Sequence, residues 1–219
     1  MTDLILFNAN VITMNPSFPK AEFIAIQDGK IQNVAGGGDF KDLRNSKTKA
    51  IDCHSKTVLP GFIDAHVHFH GFSERLTIID LSPRNNVHSI SDIRDKIGQI
   101  SKALPSGTWI RGAGYDEFYL AEKRHPTRSD LDIATSTHPI KLTHRSGRAH
   151  VLNSMALRLL NLSKDTADPT DALIDRDIQT GEPTGLLYGM GDTLAKLILP
   201  IDHDQMEQGV KLANKQLSS

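Results

Sequence analysis

The run Val58-Leu59-Pro60-Gly61-Phe62-Ile63-Asp64-Ala65-His66-Val67-His68-Phe69 constrains this chain more than any other stretch. An apolar segment enters at a Pro-Gly step and carries histidines at positions i and i+2. Its length and its punctuation predict a strand. Side chains alternate across a strand, so Ala65, Val67 and Phe69 take one face while Asp64, His66 and His68 take the other. Two imidazoles on one face, with Cα atoms about 6–7 Å apart, can converge on one ion. Such a strand supplies half of a metal site.

The charge balance narrows the partners. Lys plus Arg total 25 and Asp plus Glu total 26 among 219 residues, for a formal charge of -1. With no basic run there is no electrostatic reason to expect nucleic acid. No apolar stretch approaches the roughly 18 residues of a membrane span, and Met1-Thr2-Asp3 lacks a basic leader region. Cys53 is the sole cysteine, so no intrachain disulfide can form, which fits a reducing compartment. The expectation is a cytoplasmic protein that binds neither membrane nor nucleic acid.

Patterning predicts a small β unit over the first sixty residues. Residues 4–14 read as one strand or two, and Ala50-Ile51-Asp52-Cys53 as another. Phe23–Gln27 and Lys30–Ala35 flank Asp28-Gly29, a strong hairpin signal because both turn residues tolerate positive φ. Gly36-Gly37-Gly38 then breaks the sheet.

Beyond residue 70 the pattern is mixed α/β. Ser89-x-x-Asp92 opens a helix with Ile93, Ile97, Ile100 and Leu104 on one stripe, ended by Pro105-Ser106-Gly107. Thr108–Gly114 and Pro139–His144 read as strands, and Thr127-x-x-Asp130 opens a short helix. Asn153 is placed to cap a helix over 154–160, and a hairpin is expected around Thr180-Gly181. The last helix, Asp204–Leu217, carries Met206, Val210, Ala213 and Leu217 on one stripe.

Most of the ten histidines are scattered, and His54, His88, His125, His138 and His203 are assigned no role. His70 follows the pair, but three histidines along one strand diverge. Asp116-Glu117 and His144/His150 can complete a site with the pair only if the intervening segment folds back over the strand.

Pro60-Gly61-Phe62-Ile63-Asp64-Ala65-His66-Val67-His68 resembles the signature of the amidohydrolase superfamily. Three further stretches are similar to its amidohydrolase-3 branch: Pro126–Asp132, Arg145–His150 with Asn153–Leu157, and Gly181–Leu187. The resemblance implies the N-terminal portion of a metal-dependent hydrolase with a (β/α)8 barrel, mixed α+β as it stands and with the barrel incomplete. It implies a β-sandwich portion over 1–57, the first barrel strand over 58–70, an α/β insertion over 71–200 and the first barrel helix over 201–219.

By the same resemblance His66 and His68 match two ligands of a divalent metal, zinc first among the candidates. The metal activates a water that hydrolyses a carbon–nitrogen bond other than a peptide bond in a small molecule. Asp64 supports the strand and is not itself a ligand. The general-base aspartate and the remaining ligands are expected beyond Ser219, so the isolated chain is expected to be inactive. Arg145 is a candidate contact for an anionic or carbonyl group of the substrate. Two positions depart from the family pattern: Arg148 where a histidine is common, and Gly189 where many members carry glutamate.

The competing reading is a non-catalytic remnant that serves as a binding or assembly module. Further partner expectations are a homo-oligomer, or a separate chain supplying the missing C-terminal half.

Overall fold

The computed structural model describes residues 2–37 and 40–218, so Met1, Gly38 and Ser219 of the sequence reading lie outside the described residues. The chain divides into two compact units, Met1–Val67 and His68–Ser219. Together they hold several sheets, and among the described residues none closes into a barrel.

The first unit contains β1 (Leu4–Phe7), β2 (Asn10–Ile12), β3 (Lys20–Ala21), β4 (Phe23–Gln27), β5 (Lys30–Ala35), β6 (Lys49–Asp52) and β7 (Thr57–Val58). They form a four-stranded sheet in the order β5-β4-β1-β6 and a three-stranded sheet in the order β3-β2-β7. The expected hairpin joins β4 to β5, with Asp28 at φ 50 and Gly29 at φ 71. Both angles are positive, as the tight turn between right-twisted strands requires. Ile5 and Ala25 are fully buried, and Ala9, Val11, Ala21 and Ile24 form a neighbouring cluster.

The second unit begins with α1 (Phe69–Arg75), β8 (Ile79–Asp80), α2 (Ile90–Ser101) and β9 (Ile110–Tyr115). It continues through α3 (Arg128–Asp132), β10 (Ile140–His144), β11 (Ala149–Leu152) and α4 (Ser154–Leu159). It ends with β12 (Leu173–Arg176), β13 (Pro183–Tyr188), α5 (Gly191–Leu197) and α6 (His203–Leu217). One six-stranded sheet runs in the order β12-β13-β11-β10-β9-β8. Its β8, β9 and β10 are parallel, and the rest pair antiparallel.

Caps read from the sequence are in place. Ser89 accepts from Asp92 N–H at the start of α2, whose Ile93 and Ile97 are fully buried. Thr127 and Asp130 form a reciprocal capping box on α3. Asn153 does more than cap: its Oδ1 accepts from both Ala156 N–H and Ile140 N–H at 3.0 Å, and its amide donates to His138 O. One side chain thereby ties the start of α4 to the start of β10. Gly185, in the Pro-Thr-Gly stretch, sits at φ +99, and a Cβ there would lie 2.4 Å from Leu152 O. No other residue fits that close approach.

Two expectations are corrected. The run beginning at Val58 is not a long strand: β7 ends at Val58, residues 59–68 form no strand, and α1 starts at Phe69. A parallel barrel strand is held by neighbours on both sides, and among the described residues none pairs with this segment. The apolar stripe of the last helix is also different. Of the expected residues Ala213 is buried and Met206 half-buried, as read, but Val210 and Leu217 are exposed and Gly209 is buried in their place. Gly209 lies so close to α1 that a Cβ would meet Ser73 O at 2.3 Å, which makes contact between backbones the basis of that helix pair.

Candidate functional site

His66 and His68 lie in the irregular segment after β7. Asp64 Oδ1 accepts the backbone N–H of His66 at 2.9 Å, and His68 is the N-terminal cap position of α1. The alternation that would set Asp64, His66 and His68 on one face does not operate there. Phe62 and Ile63 are 93% and 95% exposed, although the run is composed like a buried strand.

A second constellation belongs wholly to the second unit. β9 and β10 run parallel with Tyr115 beside His144 in register, so the residues at their C-terminal ends share one edge. Ligand sites in open α/β sheets gather at such ends. Arg145 Nε lies 2.5 Å from Asp116 Oδ2, an ion pair in which the Asp116 side chain is only 4% exposed. Asp116 Oδ1 accepts from Phe118 N–H at 3.1 Å, which fixes the turn after β9. His144 Nε2 sits 2.8 Å from Glu117 Oε2 and 3.9 Å from Asp116 Oδ1. Ligand atoms of Asp116, Glu117 and His144 all fall within 4.8 Å of one another, the one such trio of metal-ligating side chains among the described residues. His66 and His68 are outside it.

His125 closes the far side. Its Nδ1 is 3.0 Å from Tyr115 Oη and its Nε2 is 3.7 Å from Glu117 Oε1. Burial pushes the His125 imidazole below its usual value, against the opposing pull of Glu117, and burial pushes the Tyr115 phenol up. An open cleft of about 980 Å³ adjoins the Asp116–Arg145 pair. Arg75, Arg84, Phe118 and Tyr119 also line it, so it offers cationic and aromatic surface to a small molecule.

Arg145 is therefore placed at a cleft, paired to Asp116. The sequence offered Asp116-Glu117 and His144/His150 to the histidine pair only on condition that the intervening segment fold back. Parallel pairing of β9 with β10 brings Asp116, Glu117 and His144 to each other. The signal for it was present: two successive strands each end on ionisable residues, Asp116-Glu117 and His144-Arg145.

Comparison with known proteins decides the family. The sequence profile of the amidohydrolase family matches residues 49–219.

The chain belongs to the amidohydrolase family.

It is 31% identical over 187 residues to the N-substituted formamide deformylase of Arthrobacter pascens, covering 85% of this chain and 34% of that protein. It is 28% identical over 220 residues to Protein LONG AFTER FAR-RED 3 of Arabidopsis thaliana, covering 98% of this chain and 36% of that protein. The chain thus spans about a third of the length of these relatives. Among solved structures it is similar to an uncharacterized metal-dependent hydrolase from Pyrococcus furiosus. That likeness has a TM-score of 0.58 and 22% identity, over 97% of this chain and 41% of the other, and it supports the fold. No helix among the described residues is long and apolar enough to cross a membrane.

Proposed function

We propose that this chain is the N-terminal portion of a cytoplasmic hydrolase that cleaves a carbon–nitrogen bond, other than a peptide bond, in a small molecule. The observation that carries the reading is the family match across residues 49–219, which includes the Pro60–His68 run. The formamide deformylase similarity favours N-formyl or N-acyl amines as the substrate class.

His66 and His68 would hold the divalent metal, zinc first among the candidates, with α6 as the first barrel helix. The metal supplies an activated water, its pKa lowered from about 15.7 toward roughly 7. A catalytic zinc site takes three protein ligands, more than the two histidines of this run supply. The exposed Phe62 and Ile63 fit a strand whose barrel neighbours come from further sequence. Arg145, oriented by Asp116, contacts an anionic or carbonyl group of the substrate. On this reading the 219-residue chain alone does not turn over.

The test is amine release from a panel of N-formyl and N-acyl amines by the purified chain with added zinc. No turnover is expected. Metal-dependent turnover that disappears in His66→Ala would overturn the claim that this portion is inactive by itself.

A further inference from the structure

We propose that the second unit carries a divalent-cation site of its own, formed by Asp116, Glu117 and His144. It uses no residue of the His66–His68 run and stands or falls apart from the hydrolytic reading.

The contact between His144 Nε2 and Glu117 Oε2 carries the argument. At 2.8 Å it has the length of a hydrogen bond, yet neither atom makes one, so the approach is out of line for N–H···O. Both atoms are shut off from solvent without a hydrogen bond, on side chains that are 11% exposed for His144 and 35% for Glu117. A carboxylate oxygen and an imidazole nitrogen held off water in contact but out of line for a hydrogen bond are poorly satisfied by each other, and one cation bound to both satisfies them together.

Distances agree. Ligand atoms about 2.0–2.1 Å from a tetrahedral zinc lie about 3.3 Å from one another. The observed 2.8 Å and 3.9 Å separations from His144 Nε2 bracket that value. One imidazole and two carboxylates suit zinc-class ions, with a fourth position open for water. Arg145 engages Asp116 through Oδ2 and leaves Oδ1 directed at the trio.

Ser146 can support the tautomer that a metal on Nε2 needs, at the cost of one backbone bond. Ser146 Oγ lies 2.8 Å from His144 Nδ1 and can accept its proton, which leaves the Nε2 lone pair for the metal. Ser146 N–H also donates to Nδ1 at 3.1 Å, and the metal-bound tautomer gives that bond up.

The test is calorimetric titration of the chelator-stripped 219-residue chain with zinc chloride. In a His66→Ala/His68→Ala background one zinc equivalent should still bind. Adding Glu117→Gln or His144→Ala to that background should weaken binding by more than about tenfold. The near-isosteric Glu117→Gln variant decides the matter should His144→Ala fail to fold. Loss of all zinc binding in the His66→Ala/His68→Ala protein would overturn the proposal. So would an affinity unchanged by Glu117→Gln in that background.

Discussion

Asn153 Oδ1 accepts the backbone N–H of Ile140, thirteen residues earlier, while the same oxygen caps α4. The side chain is fully buried, so none of its partners can turn to water when it is removed. Asn153→Ala strands two amide donors and the His138 carbonyl. From the cost of a lost cap and of buried unpaired groups, destabilisation of about 3 kcal/mol is expected. Urea unfolding checks it. Asn153→Asp, which keeps both acceptor bonds and loses only the donor, should cost less.

His150 gives the chain a pH-dependent stability. It is buried on β11, its Nε2 has no partner, and its Nδ1 lies 3.3 Å from Thr143 Oγ1. Burial, followed by the nearby Lys141 charge, lowers its pKa from 6.5 to about 4. Between those values the unfolded chain holds a proton that the folded chain refuses. Stability is therefore full above about pH 6.5 and falls as pH drops toward 4. Between pH 7 and pH 5 the loss should be about 2 kcal/mol, read from the urea midpoint. His150→Gln should flatten that window; an equal slope in the variant would assign it to other groups.

Local chemistry made much of this fold legible. The Asp28-Gly29 hairpin, the Thr127–Asp130 capping box and the Asn153 cap each depend on a few adjacent residues, and each stands where the sequence places it. What was not legible depends on partners distant in sequence. An apolar run such as Val58–Phe69 becomes a strand only where other strands supply its ladder, and none does among the described residues. On the last helix, hydrophobicity pointed to Val210 and Leu217. The close approach to α1 instead selects Gly209, a residue that offers no apolar surface to count. The Asp116–Glu117–His144 trio required knowing that β9 and β10 are parallel neighbours, which no spacing within either strand discloses.

On the proposed reading, the histidine run becomes a strand only where other strands pair with it, and among the described residues none does. Hydrogen–deuterium exchange of the purified 219-residue protein tests it most directly. Amides of Ile63, Ala65 and Val67 should exchange at the rate of an unstructured peptide, while those of Ile140 and Leu142 in β10 stay protected. Protection of these three amides to the level of β10 would show the run already held in a ladder and overturn that reading.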